Sequence, residues 1–237
     1  MTDGEAGVLL QELRDARSRT LALVQDLQGG QWIGPELPIV NPPLWEIGHV
    51  AWFQEQWLLR HALARERLRP GVDELYDSAA IDHWDRWAVR LPTVADTLQY
   101  MQQVLDAVAD ALAARHRDNE LAYYLRLATY HEDMHGEALC YTRQTLGYPA
   151  PQLGRPAPAA PAGGPLPGDA VIPGGTFWLG SPRTAAFVFD NEKWAHPVEV
   201  ATFRLARAPV TEAEFAGFVD DGGYARRPLW SDDGWDW

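Results

Sequence analysis

The stretch Tyr130-His131-Glu132-Asp133-Met134-His135-Gly136-Glu137 decides how this chain is read. It contains HExxH, the spacing by which zinc proteases place two histidines one helical turn apart on a metal while the glutamate activates water. Such a protease also needs a downstream ligand, a glutamate roughly twenty residues on or the third histidine of HExxHxxGxxH. Neither follows: Ala138 and Tyr141 stand three and six residues after His135, no glutamate occurs between Glu137 and Glu192, and the next histidine is His196. A third ligand must come from upstream.

Upstream lies Trp45-Glu46-Ile47-Gly48-His49-Val50-Ala51-Trp52-Phe53-Gln54-Glu55-Gln56-Trp57, in which Trp45, His49, Trp52 and Gln56 recur at helical spacing. Around the first motif, Tyr124, Ala128, His131, His135, Ala138 and Thr142 form a second such stripe. Side chains at i and i+4 share a helix face, so His49, His131 and His135 are all expected to point inward among apolar neighbours. Buried imidazoles without a common partner would each need their own hydrogen bonds, which favours a shared metal ion. Three imidazoles leave part of a coordination sphere open, as catalytic sites do, and the spacing does not name the metal. Glu137 is off the histidine stripe and is a candidate to orient an imidazole from behind. Glu132 lies about 100° round the helix from His131 and reads as a solvated or salt-bridged residue.

The chain has 237 residues, enough for one large domain or two smaller ones with a substantial core. Its formal net charge of -13 argues against nucleic acid or an anionic membrane as partner and leaves a small molecule as the better expectation. Neither a secretory signal nor a transmembrane stretch is evident. The single cysteine, Cys140, excludes an intramolecular disulfide framework and fits a reducing cytoplasm; it reads as a packing or surface residue.

Apolar periodicity predicts helices at about 5–28, 42–67, 93–116 and 118–147, an antiparallel four-helix bundle. Asn41-Pro42-Pro43 is the expected start of the second, and Gly147 with Pro149 the stop of the fourth. The expected domains are a bundle at 1–148, a linker rich in proline, alanine and glycine at 149–168, and a mixed domain at 169–237. In that last part VIPGGTFWLGS and HPVEVATFRLA read as short strands and PVTEAEFAGFVDDGG as a helix entered through Thr211. Trp230 to Trp237 reads as irregular, and the mixed domain is expected to be truncated.

In order, NPPLWEIGH (41–49), YHEDMHGEA (130–138), VIPGGTFWLGS (171–181), FVFDNEKWAHPV (187–198), APVTEAEFAGFVDDGGY (208–224) and PLWSDDGW (228–235) resemble segments of one family. That family is the nonheme iron sulfoxide synthases of ergothioneine biosynthesis, and the likeness covers essentially the whole chain. The resemblance implies an α+β multidomain fold: a DinB-like four-helix bundle followed by the start of a mixed domain of the formylglycine-generating-enzyme or C-type-lectin-like type. It implies that His49, His131 and His135 bind Fe(II). It further implies hercynine and dioxygen as substrates, with a chalcogen becoming attached to C2 of the hercynine imidazole. The family's catalytic tyrosine would lie beyond Trp237.

Departures from the family bear on the donor. Members using a cysteine-derived thiol usually have QHEQQHQE at the histidine pair and an arginine-rich segment between helices two and three, suited to gripping carboxylates. This chain has Met134 within YHEDMHGE, and YDSAAIDHWDRWAVRLP (76–92) between the helices. There Trp84 and Trp87 offer flat apolar faces suited to a sugar, while Arg86 and Arg90 are candidate carboxylate contacts. The pattern is most similar to the selenoneine synthase branch, which takes a selenosugar. The other readings are a thiol-using sulfoxide synthase, a DinB-like metal-dependent thiol transferase and a non-catalytic metal-binding module.

Overall fold

The computed structural model describes residues 2–114, 118–154 and 166–237. These divide into two compact units, residues 1–156 with Ala186–Phe189, and residues 157–185 with 190–237.

The first unit is built on four long helices. Helix α1, Asp3–Val24, opens with a capping box in which the Thr2 hydroxyl accepts from Glu5 N at 3.3 Å and Thr2 N donates to the Glu5 carboxylate at 2.6 Å. Helix α2 covers Pro43–Gln54, α3 the short turn Asp73–Tyr76, α4 Val94–Ala114 and α5 Asn119–Thr145. Packing runs in a ring, α1 on α5, α5 on α2, α2 on α4 and α4 on α1. Leu13, Ile47, Met101, Val104, Leu121 and Leu125 fill the middle. The expected end of α4 at 116 falls outside the described residues. Helix α5 starts on Asp118, whose carboxylate accepts from Glu120 N and Leu121 N, and stops where Gly147 takes a left-handed φ of 65°.

Two features of the second helix differ from expectation. Asn41 does not cap it; its Oδ1 accepts from Arg86 Nη1 at 2.6 Å, and Pro42 stands at the helix start without a side-chain bond. The helix also stops short of 67: its last stretch, Glu55–His61, widens into a π-helix and ends there. Widening turns the consecutive polar residues Gln54 and Glu55 inward together. Gln54 Nε2 donates to Glu132 at 2.5 Å, while Glu55 accepts from Tyr100 Oη at 2.6 Å and Leu68 N at 2.8 Å. The segment Ala186–Phe189 lies on α5, where Phe187 stacks on Tyr123 with centroids 5.1 Å apart.

The second unit contains two antiparallel strand pairs. β1, Asp169–Ile172, pairs with β4, Phe203–Ala206; β2, Gly175–Leu179, pairs with β3, His196–Val200. Helix α6, Glu212–Asp220, is entered through Thr211, which shares a capping box with Glu214. Trp230 to Trp237 is less irregular than expected: Ser231 accepts from Gly234 N at 3.1 Å and starts a short helix, α7, at Asp232–Asp236. The stretch expected as a linker lies mostly at 155–165, outside the described residues. No described helix is long and apolar enough to cross a membrane. The fold is α+β, a helical bundle followed by a domain with small sheets.

Candidate metal centre

Helix α2 carries His49 and α5 carries His131 and His135, and one nitrogen from each lies within 4.8 Å of the other two. Among the described residues this is the one cluster of histidine, cysteine and carboxylate side chains with such spacing. His131 Nε2 and His135 Nε2 face each other at 3.1 Å.

The nitrogens turned away from the centre reveal the tautomers. His49 Nδ1 lies 2.8 Å from the carbonyl of Tyr76, which can only accept, so Nδ1 carries the hydrogen and Nε2 keeps its lone pair. His135 Nδ1 donates to Glu46 Oε1 at 2.7 Å, so the neutral form of that ring keeps its lone pair on Nε2. Burial, and next the neighbouring His135, push the pKa of His49 down to about 4. His131 is held well below the ordinary imidazole value by burial first, then by His135 and His49. These two rings are therefore neutral at physiological pH.

This arrangement fits a metal ion. Lone pairs on two anchored imidazoles converge in a low-dielectric interior, where they repel unless a cation or proton lies between them. His131 Nδ1 is buried and finds no hydrogen-bond partner among the described residues, so no second anchor explains the position of that ring. Borderline divalent ions suit three neutral imidazole nitrogens, and iron, zinc, nickel and cobalt all meet that description.

Rings wall the centre. Trp45 stacks on one side of His49 at 4.8 Å and Trp52 on the other at 5.7 Å between centroids, while Phe53 lies flat against His131 at 3.6 Å. The indoles are fixed in turn, Trp45 Nε1 donating to Leu75 O and Trp52 Nε1 to Asp73 Oδ1, each at 2.7 Å. The Arg86 guanidinium lies 4.2 Å from the Trp45 ring centroid on the way to its bond with Asn41. Gly48 permits the close approach that aims His49, since a Cβ there would stand 2.3 Å from the Tyr76 ring.

The other residues singled out in the sequence are spread more widely. Glu137 is exposed and lines, with Cys140, a groove of about 900 Å³ between α1 and α5 whose lining includes none of the three histidines. Met134 and Trp84 are about half exposed, and Arg90 is exposed. Trp87 is partly buried and its Nε1 donates to Gly34 O at 3.3 Å. Arg86 turns inward rather than outward. Glu132 is fully buried in an ion pair with Arg17 at 2.8 Å, which leaves it no part in activating water at the histidines. Sequence reasoning missed Glu46, the carboxylate that holds His135; the signal was a lone acid within the apolar run PPLWEIGHVAW, one turn before His49.

Residues 12–139 match the model of the DinB superfamily, and residues 156–237 match that of the sulfatase-modifying factor enzyme 1-like domain. The chain is 35% identical to a hercynine oxygenase of Mycolicibacterium thermoresistibile over 96% of its own length and 51% of the relative's. It is likewise 35% identical to the hercynine oxygenase of Mycolicibacterium smegmatis, over 96% of this chain and 53% of the relative. To that of Mycobacterium tuberculosis it is 36% identical, over 94% and 53% respectively. It thus spans about half the length of the curated relatives it matches. On the match over its helical region, the chain belongs to the DinB superfamily, and a sulfatase-modifying factor enzyme 1-like domain follows that region.

Proposed function

We propose that this chain is the metal-holding part of an O2-dependent oxidoreductase that acts on hercynine, with His49, His131 and His135 holding Fe(II). The observation that carries this reading is the convergence of three imidazoles from two helices, at least two of them neutral, in a chain similar to hercynine oxygenases along nearly its whole length. Fe(II), when bound, supplies activation of O2 and open coordination positions for the donor and hercynine. The protein's own residues orient and exclude: Tyr76 and Glu46 aim two imidazoles, while Trp45, Trp52 and Phe53 keep water from the rings.

For the donor we favour a selenosugar, whose selenium replaces the hydrogen at C2 of the hercynine imidazole with O2 as oxidant. Arg86, one of two cations available to hold a carboxylated thiol, is committed to Asn41 and Trp45 instead. Trp84 is about half exposed and offers apolar ring surface to a sugar. Similarity to hercynine oxygenases keeps a second reading in view, a sulfoxide synthase joining a cysteine-derived thiol to the same carbon. The attached second domain argues against a DinB-like thiol transferase.

The test is mass spectrometry of products from the complete gene product, loaded anaerobically with Fe(II) and then given hercynine, O2 and either a selenosugar or a cysteine-type thiol. A selenium product is expected. A product from the thiol alone would overturn the donor assignment, and no product from either would overturn the hercynine reading.

A further inference from the structure

We propose that Glu46 is a positioning residue of the metal centre, fixing the ring of His135 with Nε2 toward His131 and placing a negative charge behind it. The inference rests on reading His49, His131 and His135 as metal ligands. Glu46 stands in the first turn of α2, one turn ahead of His49, and is almost wholly buried. Its Oε1 accepts the Nδ1 hydrogen of His135 at 2.7 Å, across from α2 to α5. The helix that provides one ligand therefore also aims a ligand of another helix, tying the geometry of the pair to helix packing.

The second oxygen supplies the independent observation. Glu46 Oε2 is buried and has no hydrogen-bond partner among the described residues. A buried carboxylate with one oxygen on an imidazole and the other unpaired is costly to the fold unless positive charge lies close by. The Arg86 guanidinium supplies part of that charge, although no hydrogen bond joins it to Oε2 and its Nη1 donates to Asn41 instead. A cation at the imidazole nitrogens meets the need: His135 transmits the carboxylate's charge across its ring, which makes Nε2 a stronger donor and orients it. Glu46 thus holds His135 Nε2 facing His131 Nε2, 3.1 Å away, as one edge of a site suited to a positive ion.

The experiment is anaerobic titration of the full chain with Fe(II), and separately with Co(II) followed by visible absorption, in the parent, Glu46→Gln, Glu46→Asp and Glu46→Ala. Glu46→Ala is expected to weaken divalent-ion affinity about 10–100-fold and to alter the Co(II) spectrum. Glu46→Gln keeps an acceptor for the His135 hydrogen and nearly the same volume but loses the charge, so its loss should be smaller. Glu46→Asp should recover part of the affinity. Circular dichroism confirms that each variant is folded, and Glu46→Gln keeps the test open should the alanine variant fail to fold. Equal affinities and identical Co(II) spectra in the parent and Glu46→Gln would overturn the role of the charge, and the same equality in Glu46→Asp or Glu46→Ala would overturn the positioning role of Glu46, the three-histidine reading standing in either case. A parent chain that binds neither ion would overturn the three-histidine reading as well.

Discussion

Glu132 stands next to His131 yet gives its carboxylate to Arg17, whose Nε lies 2.8 Å from Oε1. One residue along a helix turns the side chain by about 100°, so the ligand face and the ion-pair face are adjacent but separate. Arg17 Nη1 also donates to Met101 O at 2.7 Å and Nη2 to Gln54 Oε1 at 2.8 Å. The network therefore joins α1, α2, α4 and α5 beside the three-histidine cluster. It ties α5, which carries His131 and His135, to α2, which carries His49.

Removing one partner leaves the other charge buried and unpaired. Glu132→Ala is expected to destabilise the first unit by ~3–5 kcal/mol in urea unfolding. The paired change Arg17→Met with Glu132→Leu should recover much of that loss, because apolar groups of similar size need no partner. A single variant within about 1 kcal/mol of the parent would contradict a closed buried pair.

The sequence made much of this legible, for identifiable reasons. The helix stripes through His49 and through His131 and His135 depend on 3.6-residue geometry, a local property, and local reading placed them on facing elements. The π-helix at Glu55–His61 was not legible, since it depends on where Gln54 and Glu55 find partners on α5 and α4. The bond between Asn41 and Arg86 escaped for the same reason: an expected cap residue and a candidate carboxylate contact, read locally, bond to each other across 45 positions. Glu46 is the instructive omission. Periodicity identifies faces, whereas the partner of a ligand is set by a tertiary contact 89 residues away.

Gly48 is the next position to test. The alanine methyl group would meet the Tyr76 ring at 2.3 Å, and Tyr76 is buried with little space to retreat. Gly48→Ala should cost ~1–3 kcal/mol by overpacking. It should also weaken metal binding, because a shifted Tyr76 carries with it the carbonyl that holds His49. Parallel denaturation and Fe(II) titration check both effects; undiminished metal affinity in a destabilised variant would break the link between Tyr76 and the site.

The metal-free protein should lose stability as pH falls. His49 has an ordinary value of 6.5 and a folded value of about 4, lowered first by burial. Between those values the unfolded chain binds the proton and the folded chain does not, so stability rises with pH across that window. The contribution is complete above pH 6.5, declines toward pH 4 and amounts to ~3 kcal/mol for a shift of this size. His131 acts in the same direction. Urea titrations at several pH values in the window should give a shallower pH dependence for His49→Gln than for the parent, and equal slopes would remove His49 as a cause.

Removing one histidine of the proposed set tests which histidines hold metal. In the proposed three-histidine site, His49→Ala removes the one ligand on α2 and leaves two imidazoles on a single helix, a set too small to keep a divalent ion through desalting. Metal content by mass spectrometry after anaerobic loading should fall far below one equivalent. His196→Ala is the matching control: His196 lies in the second unit, with its Nδ1 3.0 Å from Trp194 O, and its removal should leave metal content unchanged. If His49→Ala binds Fe(II) as the parent does while His196→Ala does not, the ligand set must be drawn from the other unit and the centre described above is not the metal site.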